Sequence, residues 1–227
     1  MKYKYLLFDA DDTLLDFQLA ERESLKKTFA DHNIELTKEI YELYSGINLK
    51  LWQDFENGKI LKSEILVARF STLFSVLKIN MDSYAFEEEY MENLSASAQT
   101  ISGAIELLKE LRNQYDIYIV TNGVAKTQER RLRESGLDSL ILDSFTSETV
   151  GAQKPSKEYF DYVFSHIEGF DKSRVLLIGD SLNSDIKGGL INGIDTCWYN
   201  PRSIKNHVSV QPTYEIRSFE ELKEIIK

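Results

Sequence analysis

The later part of the sequence alternates short apolar runs with amphipathic helical runs, and this alternation limits the possible folds more than any other feature. After Ile101, the runs with the composition of buried strands are DIYIVTN, LILDSFTS, RVLLIGD, IDTCWYN and TYEIRS. Another such run, KYLLFD, lies near the start of the chain. Strands that alternate with helices predict a parallel sheet covered by helices on both faces. We therefore predict a fold of the α/β class.

The segment between residues 17 and 97 has a different pattern. It contains no convincing strand, and its apolar residues recur at spacings of three and four, which predicts amphipathic helices. The first such stripe consists of Ile40, Leu43, Tyr44, Ile47, Leu51, Trp52 and Phe55. We predict a Rossmann-like core of residues 1–16 and 98–227, with a helical-bundle cap domain of residues 17–97 inserted after the first strand.

Polar residues of a particular kind stand at the ends of three predicted strands. In parallel sheets of this class, the ligand crevice lies outside the carboxyl ends of the strands. Side chains that follow the strands are therefore expected to meet there, joined by a lysine from the loop TVGAQKP. The candidate site residues are Asp9, Asp11, Thr121, Asn122, Lys154, Asp180 and Asp185.

The stretch LLFDADDTLLD places four aspartates within eight positions. Carboxylates this close repel one another unless a cation lies among them. A set of oxygen ligands favours Mg²⁺, which keeps several waters and shares a substrate phosphate. Each aspartate alone could be a helix cap or a turn residue. Their joint occurrence at strand ends favours a site with Mg²⁺ as the cofactor.

These motifs resemble, in the same order, those of the haloacid dehalogenase (HAD) superfamily, in the phosphatase branch with a helical cap after the first strand. DADDT at 9–13 matches the first motif, Thr121 in IVTNG the second, Lys154 in QKP the third and GDSLNSD at 179–185 the fourth. FDADDTL, VTNG and the cap position resemble the pyrimidine 5′-nucleotidase group within this superfamily. Many relatives have glycine at the position of Asp12.

The resemblance implies a phosphatase that works by two-step phosphoryl transfer. Asp9 would be the nucleophile, and Asp11 would act first as general acid and then as general base. Mg²⁺ would be held by Asp9, the backbone carbonyl of Asp11 and Asp180. Asp185 would bind metal waters or orient Lys154.

The resemblance also implies how the phosphoryl group is bound. The Thr121 hydroxyl and the Asn122 backbone N–H would bind its oxygens, and Lys154 would balance their charge. The predicted function is a Mg²⁺-dependent phosphomonoesterase, a 5′-nucleotidase that favours pyrimidine nucleoside monophosphates.

Three other functions share parts of this pattern. A sugar-phosphate phosphatase or mutase of the same superfamily keeps all four motifs and stays open. A haloacid dehalogenase would share Asp9 but lack an acidic residue at the position of Asp11. A phospho-accepting signalling domain also clusters aspartates, a threonine and a lysine around Mg²⁺, but it is much shorter and has its acidic pair ahead of the acceptor.

Charge and composition limit the partners. The formal net charge of −10 disfavours a nucleic acid polymer or an anionic membrane. The amino-terminal apolar run is broken by Asp9, which disfavours a signal peptide. No apolar run is long enough to span a membrane. The single cysteine, Cys197, fits a reducing compartment. We expect a cytoplasmic protein, a monomer or homodimer, whose partner is a small phosphomonoester.

Two further patterns have structural interpretations. The run QERRLRE at 128–134 is typical of a solvated helix face, although the resemblance allows one of its arginines to lie near the site. The aromatic residues of the predicted cap are interpreted as its core and not as a surface for stacking a base. They are Tyr41, Tyr44, Trp52 and Phe55.

Overall fold

The computed structural model describes residues 2–206 and 208–227. The strands in this part of the chain are β1 Tyr5–Phe8, β2 Asp116–Thr121, β3 Asp143–Thr146, β4 Val175–Gly179, β5 Asp195–Tyr199 and β6 Tyr214–Ile216. They form one six-stranded sheet in the order β3-β2-β1-β4-β5-β6, and every neighbouring pair is parallel. The predicted α/β fold with a parallel sheet is confirmed.

Helices fill most of the connections between these strands. They are α1 Phe17–Asp31, α2 Lys38–Glu56, α3 Lys62–Leu77, α4 Ser83–Ser95, α5 Ala104–Leu111, α6 Ala125–Ser135, α7 Ser147–Val150, α8 Lys157–Ser165, α9 Lys187–Ile191 and α10 Phe219–Ile226. A single π-helical turn, Leu182–Ile186, leads into α9. Within the described ranges, no helix has both the length and the apolar character that a membrane crossing needs.

The chain divides into two compact units. The sheet unit contains the chain up to Phe17 and from Ala98 to Lys227, and the helical unit contains Gln18–Ser97. Inside the sheet unit, the segment that leaves it and the segment that returns are hydrogen-bonded to each other. The Asp16 N–H donates to the Gln99 carbonyl at 2.9 Å, and the Ile101 N–H donates to the Leu14 carbonyl at 2.8 Å.

Strand β1 separates two apolar cores in the sheet unit. Successive side chains of a strand point to opposite faces, so Leu6 and Phe8 lie in one core while Tyr5 and Leu7 lie in the other. The first core contains residues of α5 and α10, and the second contains residues of α8. Burial on both faces explains why the strands are nearly continuous apolar runs in the sequence.

The helical unit has an aromatic core of its own. Tyr44 and Phe55 are buried, and the Tyr44 ring stacks on Phe70 with 5.3 Å between centroids. The core interpretation is therefore confirmed for these two residues, whereas Tyr41 and Trp52 are half-buried.

Helix α9 packs closely because two of its residues are glycines. A Cβ at Gly189 would lie 2.2 Å from Thr196 Cγ2 on β5. We expect Gly189→Ala to lower the free energy of unfolding by about 1–3 kcal/mol, since the backbone must move to relieve this overlap. Urea unfolding followed by circular dichroism measures the change.

Gly46→Ala is the matched control. Gly46 lies inside α2, and a Cβ there would have nothing within 4 Å. We expect a gain of about 0.5–1 kcal/mol, because alanine restricts the unfolded chain and favours helix. A stabilising Gly189→Ala would contradict the packing described for α9.

Candidate active site

The carboxyl ends of the central strands bring the first predicted site residues together. β1 lies between β2 and β4, and Phe8 pairs with both Ile119 and Ile178. Asp9 continues this ladder by one residue, because its N–H donates to the Ile178 carbonyl at 2.8 Å. The residues that follow each strand therefore reach the same edge of the sheet. This edge includes the topological switch point, because β2 and β4 lie on opposite sides of β1.

Lys154 is the buried cation of this edge. Its ammonium group donates to Asp9 Oδ1 at 2.6 Å, to Asp185 Oδ1 at 2.7 Å and to the Val120 carbonyl at 2.8 Å. These contacts use all three hydrogens of the ammonium. The side chain is 1% exposed. Burial alone would lower the pKa of Lys154, but attraction to Asp185 and Asp9 raises it above its ordinary value, so the group stays charged.

The Asn122 side chain fixes the backbone of Lys154. Its Oδ1 accepts from the Lys154 N–H at 2.9 Å, and its Nδ2 donates to the Lys154 carbonyl at 3.0 Å. The sequence assigned a role only to the Asn122 backbone. No local pattern links two residues so far apart, and this contact could not be found from spacing.

Asp185 is held by the backbone around it. Its Oδ2 accepts from the Ser181 N–H at 3.1 Å. A Cβ at Gly179 would lie 2.2 Å from the same oxygen, so the carboxylate can approach the end of β4 only because residue 179 has no side chain.

Three carboxylates converge beside the lysine. One oxygen each from Asp9, Asp180 and Asp185 lies within 4.8 Å of the others. Burial raises the pKa of Asp9 well above its ordinary value; Lys154 opposes this shift, and the charge of Asp185 adds to it. Burial also raises the pKa of Asp180, and repulsion from Asp9 and Asp185 raises it further.

The charge balance at this cluster fits a further cation. Three carboxylates face one ammonium group, and all their ligand atoms are oxygens. Hard divalent cations such as Mg²⁺ prefer this donor set. Asp9 and Asp180 could hold such an ion, with Asp185 beside it and bound to Lys154. The ion would offset the repulsion that raises the pKa of Asp9 and Asp180.

Asp11 faces a different set of partners. Its Oδ2 accepts from Gln128 Nε2 at 2.7 Å, and its Oδ1 accepts from Arg131 Nη1. Both partners lie on α6 and are 1% exposed. The interpretation of 128–134 as a solvated face is therefore wrong for these two residues, whereas Arg133 does lie at the surface.

The sequence contains one signal that could have revealed this burial. Helix α6 has few large apolar residues, yet a helix that covers a sheet must bury one face. Its buried residues are Thr127, Gln128, Arg131 and Leu132. Polar side chains therefore occupy most of the inward face, and they need polar partners there.

The Thr121 hydroxyl is placed to donate. Its Oγ1 accepts from the Gly123 N–H and from Gln128 Nε2, both at 3.0 Å. Since both contacts use its lone pairs, the hydroxyl hydrogen is directed elsewhere. A hydroxyl of this kind suits an anionic ligand.

Asp12 has a left-handed backbone conformation, with φ of 55°. Glycine adopts this conformation without strain, and aspartate is among the residues that tolerate it best. This conformation is a backbone reason to expect glycine at this position in proteins with the same turn.

A family model described as haloacid dehalogenase-like hydrolase matches residues 3–192. HAD-hydrolase YfnB of Bacillus subtilis is 48% identical over 225 residues, which cover 99% of this chain and 96% of the relative. A crystal structure of YfnB bound to magnesium, which reveals interdomain movement, aligns with this structure with a TM-score of 0.95. The alignment covers 100% of this chain and 100% of the YfnB chain.

Two pyrimidine 5′-nucleotidases are also similar over nearly their whole length. PynA of Streptococcus pneumoniae is 41% identical over 223 residues, covering 98% of this chain and 94% of the relative. YjjG of Escherichia coli is 32% identical over 226 residues, covering 100% of this chain and 99% of the relative.

The repulsion among the carboxylates predicts how stability depends on pH without metal. Because the folded-state pKa values of Asp9 and Asp180 are raised, the contribution of these two groups to stability is full below the ordinary carboxylate pKa of about 4 and is lost as the pH rises toward the raised values. Asp180→Asn should raise the free energy of unfolding at neutral pH by about 1–2 kcal/mol and flatten this slope.

Urea unfolding in EDTA between acidic and neutral pH measures both effects. The control is Asp161→Asn, which removes an exposed carboxylate on α8 and should change stability by less than about 0.5 kcal/mol. A loss of stability in Asp180→Asn at neutral pH would contradict the repulsion described here.

Proposed function

This chain belongs to the haloacid dehalogenase-like hydrolases, and we propose that it is a Mg²⁺-dependent phosphomonoesterase acting on nucleoside 5′-monophosphates, with pyrimidine nucleotides favoured. The observation that carries the proposal is the meeting of Asp9, Asp180 and Asp185 with buried Lys154 at one edge of the sheet. The two relatives named pyrimidine 5′-nucleotidases support the substrate class.

In the first step, the Asp9 carboxylate attacks phosphorus in line and forms an aspartyl-phosphate. The bond between phosphorus and the nucleoside 5′-oxygen breaks, and Asp11 gives its proton to the departing oxygen. The Thr121 hydroxyl and the Asn122 backbone N–H bind the phosphoryl oxygens, and the positive charge of Lys154 balances the negative charge on them. The hydroxyl geometry of Thr121 supports this role.

In the second step, Asp11 accepts a proton from the water that attacks the aspartyl-phosphate. Phosphate leaves and the Asp9 carboxylate is restored. Asp185 keeps the Lys154 ammonium aimed at the site through their 2.7 Å contact. When bound by Asp9, the backbone carbonyl of Asp11 and Asp180, Mg²⁺ would neutralise charge on the nucleophile and the phosphoryl oxygens.

We assign residues 1–16 and 98–227 to the catalytic core and residues 17–97 to a cap domain. An aspartyl-phosphate step benefits from the exclusion of bulk water, and release of the nucleoside needs access to solvent. These two needs are the reason to expect a separate cap domain in an enzyme of this kind.

Phosphate release from a panel of monoesters tests the proposed function. The panel contains pyrimidine and purine nucleoside 5′-monophosphates, their deoxy forms, sugar phosphates and p-nitrophenyl phosphate. We expect release that requires Mg²⁺ and is fastest, among the biological esters, with pyrimidine nucleotides. Asp9→Asn should lower the rate at least about a thousandfold, because it removes the nucleophile.

Two controls sharpen this assay. Asp161→Asn should keep the wild-type rate, since its carboxylate is exposed on α8. With substrate labelled in the phosphoryl group, acid quenching should trap label on the wild-type protein and not on Asp9→Asn. An absence of release from every ester would contradict the phosphatase proposal, and faster release from sugar phosphates than from any nucleotide would contradict the substrate class.

A further inference from the structure

We propose that Arg131, together with Gln128, is a positioning residue that holds the Asp11 carboxyl group in place for proton transfer to the leaving oxygen. The inference rests on the proposed function, because it takes Asp11 as the acid of the first step. It gives α6 a part in the reaction that none of the four sequence motifs contains.

The need for a restraint follows from the location of Asp11. The residue lies beyond the end of β1, in a turn closed by the hydrogen bond from the Asp12 N–H to the Leu15 carbonyl. Its side chain is 25% exposed, and the neighbouring Asp9 carboxylate repels it. Water and repulsion would both draw the carboxylate away from the site, but a proton-transfer group must stay within about 2.6–3.2 Å of its partner.

Arg131 and Gln128 act on both carboxylate oxygens at once. Arg131 Nη1 donates to Asp11 Oδ1, and Gln128 Nε2 donates to Oδ2 at 2.7 Å. Two donors on two oxygens fix the direction of the carboxylate plane as well as its position. Each oxygen keeps a second lone-pair direction, and one of these carries the proton that Asp11 gives to the leaving oxygen in the first step.

A single amide group links the acid to the phosphoryl site. The Gln128 Nε2 that donates to Asp11 also donates to Thr121 Oγ1 at 3.0 Å. It therefore sets the separation between the carboxyl group that would transfer the proton and a hydroxyl that would bind the phosphoryl oxygens.

The two positioning residues are themselves fixed by their surroundings. They are three residues apart on α6 and so share one face of the helix. Arg131 Nη1 also donates to Gln128 Oε1 at 3.3 Å, and the guanidinium carbon lies 5.7 Å from the centre of the Phe17 ring. A Cβ at Gly123 would lie 2.6 Å from Gln128 Nε2, so this path of the glutamine side chain requires glycine there.

The test compares two leaving groups in the first turnover. A nucleoside 5′-oxygen is a poor leaving group that needs a proton, whereas p-nitrophenolate departs without one. The variants are Arg131→Met, Arg131→Lys and Gln128→Met, with Asp11→Asn as the reference for loss of the acid. The control is Arg133→Met, which removes an exposed arginine from the same helix. Both reactions are run in the presence of Mg²⁺. Rapid-quench sampling measures nucleoside release from a pyrimidine nucleotide, and absorbance measures p-nitrophenolate release.

We expect Arg131→Met to slow nucleoside release by about 10–100-fold, part of the contribution of a general acid, while p-nitrophenolate release changes less than about threefold. Arg131→Lys should recover part of the loss, because it keeps the charge and loses the planar fork. Gln128→Met should slow p-nitrophenolate release somewhat, because Thr121 loses a partner, and should slow nucleoside release clearly more. It serves as the test if Arg131→Met does not fold by circular dichroism. Arg133→Met should match the wild type with both esters.

The contrary outcomes are distinct from failure of the proposed function. Equal losses with both esters, no loss with either, or faster nucleoside release in Arg131→Met and Gln128→Met would overturn the positioning role. These results count against the inference when the wild type hydrolyses nucleotides and Asp11→Asn shows the leaving-group dependence. If the wild type releases no nucleoside, or if Asp11→Asn shows no such dependence, the proposed function or its assignment of Asp11 fails, and the inference falls with it.

Discussion

The ammonium group of Lys154 is buried against the carboxylates of Asp9 and Asp185, and the arrangement of the site depends on this ion network. A buried charge without a partner destabilises a protein strongly, so each member of the network requires the others. Asp9 follows β1, Asp185 lies in the turn before α9, and Lys154 lies in the loop before α8. The network therefore holds three separate segments of the chain at one edge, while the excess of negative charge leaves a place for a further cation.

Two glycines at strand ends make room for the side chains that position Lys154 and Asp11. Gly179 ends β4 and leaves room for Asp185, which holds the lysine; Gly123 follows β2 and leaves room for Gln128, which contacts Asp11. In both places a polar side chain passes directly over bare backbone at a strand end. The positioning of Lys154 beside the nucleophile and the positioning of the acid Asp11 thus depend on the same feature, a glycine at a strand end. The two glycines are far apart in the sequence.

The sheet and the residues at its edge could be predicted from the sequence because both depend on local patterns. Apolar runs of strand length predicted β1 to β6, and polar residues after those runs predicted the neighbours of Lys154. The burial of Gln128 and Arg131 was not predicted, because glutamine and arginine are ordinarily solvated and their partner Asp11 lies more than a hundred residues away. The Asn122 contact with the Lys154 backbone was missed for the same reason: side chain to backbone contacts between distant loops leave no periodicity.

The paired backbone segments at Leu14–Asp16 and Gln99–Ile101 bear on how the chain folds. They close a long loop, Gln18–Ser97, at its base. The entropic contribution to the free energy of closing a loop increases by only about 0.6 kcal/mol for each doubling of the loop length. Strand β1 precedes that loop in the chain, whereas both of its neighbours in the sheet, β2 and β4, follow it. If Gln18–Ser97 collapses first on the ribosome, its ends approach and β1 meets β2 across a short effective distance. Replacement of this segment by one of another length should then alter the folding rate of the sheet far less than the number of residues would suggest.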